Sequence, residues 1–215
     1  RKIMLGKTHF SVGMAAGIAI CRPQTMPMLI AGAGLAAFGG TICDIDVETS
    51  DAHEQVDRML VVAVIMVAAV VVMDFIFRVG IYRRLMANSN IARVIIGSLA
   101  FLMICAFGKE QPHRSFMHSF LALAMLSICV YIIFPDMTPY FMVGFMSHMF
   151  IDVFNRKREK FFWPVGKGFC LHWCSANGIV NKILFYVSTM AVVLFVLTSR
   201  PVFHMADALL GFLHR

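Results

Sequence analysis

The chain has 215 residues, of which 60% are hydrophobic and only 14% are charged, and its formal net charge is +7. A soluble domain carries about a quarter charged residues, so this composition excludes an ordinary soluble domain and indicates one polytopic membrane domain. The basic residues lie in short loops between apolar segments. Anionic lipid headgroups or phosphate explain cations placed there, and no nucleic-acid partner is expected.

Two apolar segments open the chain, Ile3–Cys21 and Met26–Thr41, and each carries polar residues near one end. His9 lies near the start of the first segment, where a hydrogen-bonded histidine at the membrane interface is the alternative to a metal ligand. The second segment is rich in glycine and alanine, which let membrane helices approach closely. It ends at Asp44 and Asp46, two carboxylates that suit a divalent cation or, alternatively, belong to a solvated acidic loop.

The next two apolar segments differ from the first pair because they carry no candidate chemistry. Met59–Met73 is almost wholly aliphatic and predicts a membrane helix, and Ile91–Phe107 predicts the helix that returns across the membrane.

A second polar island follows, in which His113, Arg114 and His118 lie within six residues. Pro112 and Ser115 are typical of a helix start, so we expect His113 just before a helix and His118 in its first turns. A loop histidine and a helix histidine can converge on one metal site, and Arg114 can bind a phosphate oxygen. An ordinary polar loop is the alternative.

The segments Phe116–Phe134 and Tyr140–Phe154 predict the fifth and sixth membrane helices. The second of them carries His148 and Asp152, which share one helix face because they are four residues apart. The pair can bind a metal ion or form a structural His–Asp hydrogen bond.

The C-terminal part contains less distinctive signals. The cationic run at 155–160 is typical of a helix anchor at the membrane surface, and Cys170–Cys174 matches no zinc-finger spacing, so interfacial packing is favoured over a soft-metal cluster. Ile179–Thr198 predicts the last span, and Pro201–Arg215 predicts an amphipathic tail on the membrane surface. We therefore divide the chain into a membrane-embedded domain, 1–200, and a tail, 201–215.

Four polar islands interrupt the apolar segments: His9, the pair Asp44 and Asp46, the segment from His113 to His118, and the pair His148 and Asp152. Counting the predicted crossings places all four on one side of the membrane. If His9 lies on that side, the second, fourth and sixth helices bring the other islands back to it. The same side carries more lysine and arginine, so the positive-inside tendency predicts that it is cytoplasmic. The sequence therefore predicts an all-α polytopic membrane bundle of about six to seven helices with a metal site at one face.

Five motifs in this order resemble the YdjM family of LexA-regulated inner-membrane, metal-dependent hydrolases. They are Thr8-His9, Asp44-Ile-Asp46, the segment from Pro112 to Ser119, the segment from Gly144 to Asp152, and Phe162-Trp-Pro164. The family is distantly similar to the zinc-dependent phospholipase C and P1 nuclease. The resemblance implies a multi-pass protein of the bacterial inner membrane.

The resemblance also implies a centre of one to three divalent ions, zinc first, that hydrolyses a phosphoester, with membrane lipid as partner and a phospholipid-like substrate. Arg114 would neutralise a phosphate oxygen, and a role as general base is the alternative to metal binding for Asp44 or Asp46. The implied metal ligands are His9, Asp44, Asp46, His113, His118, His148 and Asp152.

Three positions depart from the family pattern: Cys43 stands for proline, Ser115 for glycine, and Asn181 for an acidic residue. If that acid is a ligand, the protein holds fewer metals or is inactive. A non-catalytic membrane component that has kept or lost the metal site is therefore the first alternative. A metal-ion transporter is the second, although its polar residues would need to lie deep in several spans.

Overall fold

The chain is described here from a computed structural model. The structure describes residues 6–47, 89–155, 157–173 and 178–205, together with the isolated positions 54, 58, 61, 65 and 72. The predicted helix Met59–Met73, most of the predicted tail and Cys174 lie outside the described residues.

All regular secondary structure in these ranges is helical, which confirms the predicted all-α class. Two residues, Glu159 and Phe169, form an isolated antiparallel bridge, and 3₁₀ turns cover Cys43–Asp46, Phe116–His118 and Pro135–Met137. Residues 200–205 are also helical. The longer helices are α1 (Gly6–Cys21), α2 (Met26–Ile42), α3 (Ser89–Lys109), α4 (Phe120–Ile133), α5 (Thr138–Val153) and α6 (Ile179–Leu197).

Among the described residues, three helical stretches are long and apolar enough to cross a membrane: Met26–Asp46, Ser89–Lys109 and Ile179–Leu197. Helix α4 is apolar but shorter, with 14 residues. The described part of the chain therefore supports a membrane protein, and the larger number of crossings remains a prediction.

The start of α4 differs from the prediction. Ser115 does not cap this helix; His118 lies in the preceding 3₁₀ turn, and the helix begins at Phe120. The reason is local, because the hydroxyl of Ser119 accepts a hydrogen bond from the backbone N–H of Ala122 at 3.1 Å and caps the helix there.

Helix α2 packs between α1 and α5 at very short range, as its small residues predicted. A Cβ atom added at Gly144 of α5 would lie 1.9 Å from the backbone oxygen of Ala36, and one at Gly40 would lie 2.6 Å from the backbone oxygen of His9. Only glycine permits these backbones to approach so closely. The contacts bring the C-terminal ends of α2 and α5 against the start of α1.

Two further pairs of helices enclose this core. Helix α6 lies along α1, where the hydroxyls of Ser11 and Ser188 are 2.7 Å apart. Helix α3 lies against α4, and the guanidinium of Arg93 donates to the backbone oxygen of Ile132 at the end far from the polar islands.

The segment after α5 folds back over the polar end of the bundle. The bridge between Glu159 and Phe169 closes it, and the backbone N–H of Phe120 donates to the backbone oxygen of Phe161 at 3.0 Å. Trp163 packs edge-on against Phe116, with ring centroids 5.2 Å apart. The predicted helix anchor therefore also forms a wall of the polar end.

Candidate metal centre

The four predicted polar islands meet at one end of the bundle. α1 supplies a histidine, the 3₁₀ turn after α2 two aspartates, the segment between α3 and α4 two histidines, and α5 a histidine and an aspartate. Six of the seven side chains form two groups suited to a metal ion, in which the ligand atoms lie within 4.8 Å of one another. The groups are His9, His148 and Asp152, and Asp44, His113 and His118.

The first group is fully buried. His9 Nε2 lies 3.4 Å from Asp152 Oδ1, and His148 Nε2 lies 3.9 Å from Asp152 Oδ2. The rings of His9 and His148 stack with centroids 3.9 Å apart. The helical spacing of His148 and Asp152 thus places both side chains on one helix face, as the sequence predicted, and His9 of α1 contacts that face.

The second group adjoins the first without a gap. His118 Nε2 lies 3.2 Å from His148 Nε2, and Asp44 Oδ1 lies 3.7 Å from the same nitrogen. Two nitrogens bound tetrahedrally to one zinc at about 2.0–2.1 Å would lie roughly 3.3 Å apart. The spacing of the two rings therefore fits a shared ion.

Hydrogen bonds fix the tautomer of two rings. His148 Nδ1 lies 2.7 Å from the backbone oxygen of Gly40, and His113 Nδ1 lies 2.8 Å from Asp46 Oδ1. Both oxygens can only accept, so each Nδ1 carries the proton and each Nε2 keeps its lone pair. This is the usual outer-shell arrangement of metal-binding histidines.

Asp46 belongs to neither group, but it contacts two members of the second group. It accepts from His113, lies 3.5 Å from His118 Nδ1, and accepts from the backbone N–H of Arg114 at 2.9 Å. Burial disfavours the charged form of His118, but the nearby carboxyl groups, Asp46 foremost and then Glu159 and Asp152, together outweigh burial and raise the pKa of His118 to about 9. Asp46 thus orients two candidate ligands and is itself placed outside either group.

The site contains buried nitrogen atoms that a metal ion could bind. Both ring nitrogens of His9 and Nε2 of His113 are buried and have no hydrogen-bond partner within the described ranges. Buried polar atoms are almost always paired, so a cation would satisfy these nitrogens. Imidazole nitrogens and carboxylate oxygens are ligands of zinc and of similar divalent metals.

One side of the site reaches the surface. The side chain of His113 is 19% exposed and that of Asp44 is 8% exposed, whereas the side chains of His118 and His148 are fully buried. An ion or a small anion would therefore meet the second group first.

Arg114 is buried, and both terminal nitrogens of its guanidinium are hydrogen-bonded. Its backbone has a φ of 65°, in the left-handed region, and its Nη1 donates to the backbone oxygen of Lys157 at 2.8 Å. Its Nη2 donates to Asp152 Oδ2. A strained residue held by so many partners is typical of a functional site. The guanidinium clamps Asp152 and does not face the exposed side of the site through these nitrogens.

Sequence reasoning missed two residues of this region. Asn155 donates from Nδ2 to Asp152 Oδ1 at 2.7 Å, and its position one turn after Asp152 was an available signal. Glu159 is fully buried, with Oε1 3.7 Å from Arg114 Nη1. Burial raises the pKa of Glu159 to about 8, although His118 and Arg114 oppose the shift. As the one acid in a cationic run, it had looked like part of a solvated surface.

Two other predicted features concern α6 and the loop before it. Asn181 is buried at the start of α6, and its Oδ1 has no hydrogen-bond partner within the described residues. Cys170 Sγ lies 3.2 Å from His172 Nδ1 in the exposed loop after the bridge. Cys174 is not among the described residues, so the soft-metal alternative stays untested.

A model of the family described as "YdjM inner membrane protein" matches residues 4–213, nearly the whole chain. No curated protein and no solved structure matches the chain significantly. The match spans all four islands, in agreement with the motifs that carried the resemblance. The chain therefore belongs to the YdjM inner membrane protein family.

Proposed function

We propose that this protein is a membrane-bound, metal-dependent hydrolase that cleaves a phosphoester. The observation that carries the proposal is the convergence of two groups of histidine and aspartate side chains from distant parts of the chain. One to three divalent ions would be held there, and zinc is favoured by the donor atoms. The protein would lie in the bacterial inner membrane as a multi-pass protein, with the site on the cytoplasmic side.

The residues divide between holding an ion and orienting those that hold it. His9, His148 and Asp152 would hold one ion, and Asp44, His113 and His118 would hold another or share it. A bound divalent ion would supply the acidity that makes water nucleophilic near neutral pH.

Asp46 and Arg114 would assist the reaction from their present places, and Asp44 would act as base if it does not hold an ion. Asp44 reaches the exposed side and can accept a proton from water there, whereas Asp46 keeps two rings in place. The positive charge of Arg114 reduces the repulsion between these acids and a phosphate anion.

An apolar groove next to the polar island at 113–118 supports a lipid-type substrate. The groove has a volume of about 360 Å³ and lies between α3 and α4. Its wall includes Phe116, which lies in the chain between Arg114 and His118, so a hydrocarbon chain bound there would hold its headgroup near the polar end. The groove is lined by Met103, Phe107, Phe116, Leu121, Met125 and Trp163.

The test combines metal content with hydrolysis in detergent-purified protein. We expect bound zinc and release of phosphate from phosphatidic acid or from a soluble chromogenic phosphoester. His148→Ala and Asp152→Ala should each lower both by at least tenfold, because each removes a buried ligand. His204→Ala replaces an exposed histidine of the 200–205 helix and should leave both unchanged.

Either of two results would count against the hydrolase. The proposal would be wrong if wild-type protein retained no transition metal after incubation with zinc. Metal bound tightly by the wild type without cleavage of either phosphoester would favour the second candidate, a membrane component whose metal site is structural. One observation favours that candidate: the guanidinium of Arg114 binds Asp152 and the backbone of Lys157 instead of facing the exposed side.

A further inference from the structure

Glu159 is a buried carboxyl group without an evident function. Its side chain is fully buried, and both carboxylate oxygens lack a hydrogen-bond partner in the part of the chain that the structure describes. Its backbone is fixed by two hydrogen bonds of 2.9 Å to Phe169. A carboxyl group removed from water normally takes part in several hydrogen bonds. The local fold therefore does not explain why Glu159 is buried with both oxygens unpaired.

Glu159 forms an ion pair with a guanidinium that also contacts the candidate metal centre. Arg114 Nη1 lies 3.7 Å from Glu159 Oε1, and Nη2 of the same side chain binds Asp152. Arg114 Nε is buried and has no partner within the described ranges. An unpaired donor and two unpaired acceptors therefore belong to neighbouring buried side chains, and a small rotation of the guanidinium would join them.

The present partner of Arg114 is a candidate metal ligand. Arg114 Nη2 binds Asp152 Oδ2 and the amide of Asn155 binds Oδ1, so both oxygens already accept a hydrogen bond. A cation bound to this carboxylate would share its negative charge with Arg114 and repel the guanidinium, so Arg114 competes with the metal. Releasing Arg114 without a new partner would leave a buried, unpaired positive charge, which is unfavourable.

We propose that Glu159 is a positioning residue that accepts the guanidinium of Arg114 when Asp152 binds a metal ion. The inference rests on the metal centre proposed above. Arg114 lies between the carboxyl groups of Asp152 and Glu159, so it keeps a partner in both states. Glu159 thereby makes Asp152 available as a ligand without contacting the ion or the substrate itself.

A purely structural role for Glu159 makes a different prediction. In that case Glu159→Gln changes the stability of the protein and leaves its affinity for zinc unchanged. If Glu159 instead attracts the cation directly, the loss of affinity does not depend on Arg114. A double-mutant cycle separates these possibilities from the proposal.

The experiment measures the zinc dissociation constant by chelator competition in detergent. Glu159→Gln should weaken zinc binding about tenfold, whereas the same change in an Arg114→Met background should alter it less than twofold. Glu110→Gln removes an exposed acid at the same end of the bundle and should have no effect. Equal affinity of wild type and Glu159→Gln, or an equal loss in both backgrounds, would overturn the proposal.

A second measurement covers the case in which Arg114→Met does not fold. Nitrogen-15 NMR of arginine side chains should show that zinc slows solvent exchange of the Arg114 Nε–H in wild type but not in Glu159→Gln. Unchanged exchange in wild type on zinc binding would overturn the proposal. Wild-type protein that binds no zinc would overturn both this inference and the hydrolase, whereas zinc binding with the wrong coupling overturns this inference alone.

Discussion

At the scale of single residues, the side chains around the centre matter as much as the candidate ligands. Asp46 contacts His113, His118 and the backbone of Arg114, and it belongs to neither metal-binding group. The acceptor of His113 is a carboxylate, whereas the acceptor of His148 is a backbone carbonyl. The two groups are thus oriented by different means.

Asp46→Asn should therefore lower metal affinity with little change in fold. An amide oxygen can still accept one hydrogen bond but carries no charge, so it holds two histidines less firmly. Loss of such an outer-shell carboxylate costs about 10–100-fold in metal affinity, measured by chelator competition. Asp136→Asn, in the exposed 3₁₀ turn at the far end, serves as control. Equal affinity in Asp46→Asn and wild type would contradict the orienting role.

Glu159 should make the stability of the metal-free protein fall as pH rises. Its pKa is about 8 in the folded protein, against 4.5 for a glutamate in an unstructured chain, so the folded state holds a proton that the unfolded state has lost. This contribution is fully present below about pH 4.5 and disappears as pH rises through about 8.

Thermal unfolding in the presence of a chelator measures this dependence. Glu159→Gln cannot ionise, so the difference in Tm between it and wild type should move in favour of the variant between pH 5 and pH 8. A difference in Tm that is the same at both pH values would show that Glu159 does not titrate in this range.

At the scale of elements, the crossing of α2 and α5 sets the position of the centre. Gly144 lies one helical turn before His148 on the same face, and Ala36 lies one turn before Gly40. The backbone contact at Gly144 and the hydrogen bond from His148 to Gly40 are therefore consecutive features of one interface.

Gly144→Ala should separate these helices and weaken the centre. The added Cβ would lie 1.9 Å from a backbone oxygen, which cannot move aside as a flexible side chain can. We expect a loss of about 1–3 kcal/mol in stability and weaker metal binding, measured by unfolding in detergent and chelator competition. Gly34→Ala is the matched control in α2, because its Cβ would have no neighbour within 4 Å. Equal stability of the two variants would contradict the close crossing.

The sequence predicts elements whose signals are local. The apolar segments of α2 and α5 begin or end within two residues of their predicted bounds, since hydrophobic runs and prolines mark them. The start of α4 was wrong because Ser115 and Ser119 are both capable caps, and only the tertiary position of the 3₁₀ turn decides between them. That turn lets two histidines five residues apart reach one site.

The contacts that define the centre were less predictable. Topology alone placed the four islands on one side, but the pairing of Asp46 with Arg114 joins residues 68 positions apart. No local pattern encodes such a contact. Glu159 was missed for the same reason, because burial by a returning loop cannot be read from neighbouring lysines and arginines.

At the scale of the whole molecule, the alternating helices give the bundle a polar end and an apolar end. Helix α5 has 16 residues and spans roughly 24 Å between the turn at Asp136 and the centre. The loop that carries the exposed Lys167 lies beyond the polar end. The two positions should therefore lie on opposite sides of the membrane.

Cysteine labelling tests this orientation. In a cysteine-free background, Lys167→Cys should react with a membrane-impermeant maleimide only after the inner membrane is opened, because the site is proposed to be cytoplasmic. Asp136→Cys should react in spheroplasts with an intact membrane. Reversed labelling would correct the orientation alone, whereas labelling of both positions from one side would contradict the multi-pass arrangement.

The hydrogen bond from His148 to the carbonyl of Gly40 has a consequence for genetics. Every amino acid offers the same main-chain oxygen, so no replacement at position 40 deletes this acceptor by itself. Only a displacement of the main chain removes it. A random mutagenesis screen for loss of function should accordingly recover larger side chains at Ala36, Gly39 and Gly144, which displace the main chain. In a site whose acceptors are all side chains, such a screen would instead recover substitutions that delete an acceptor.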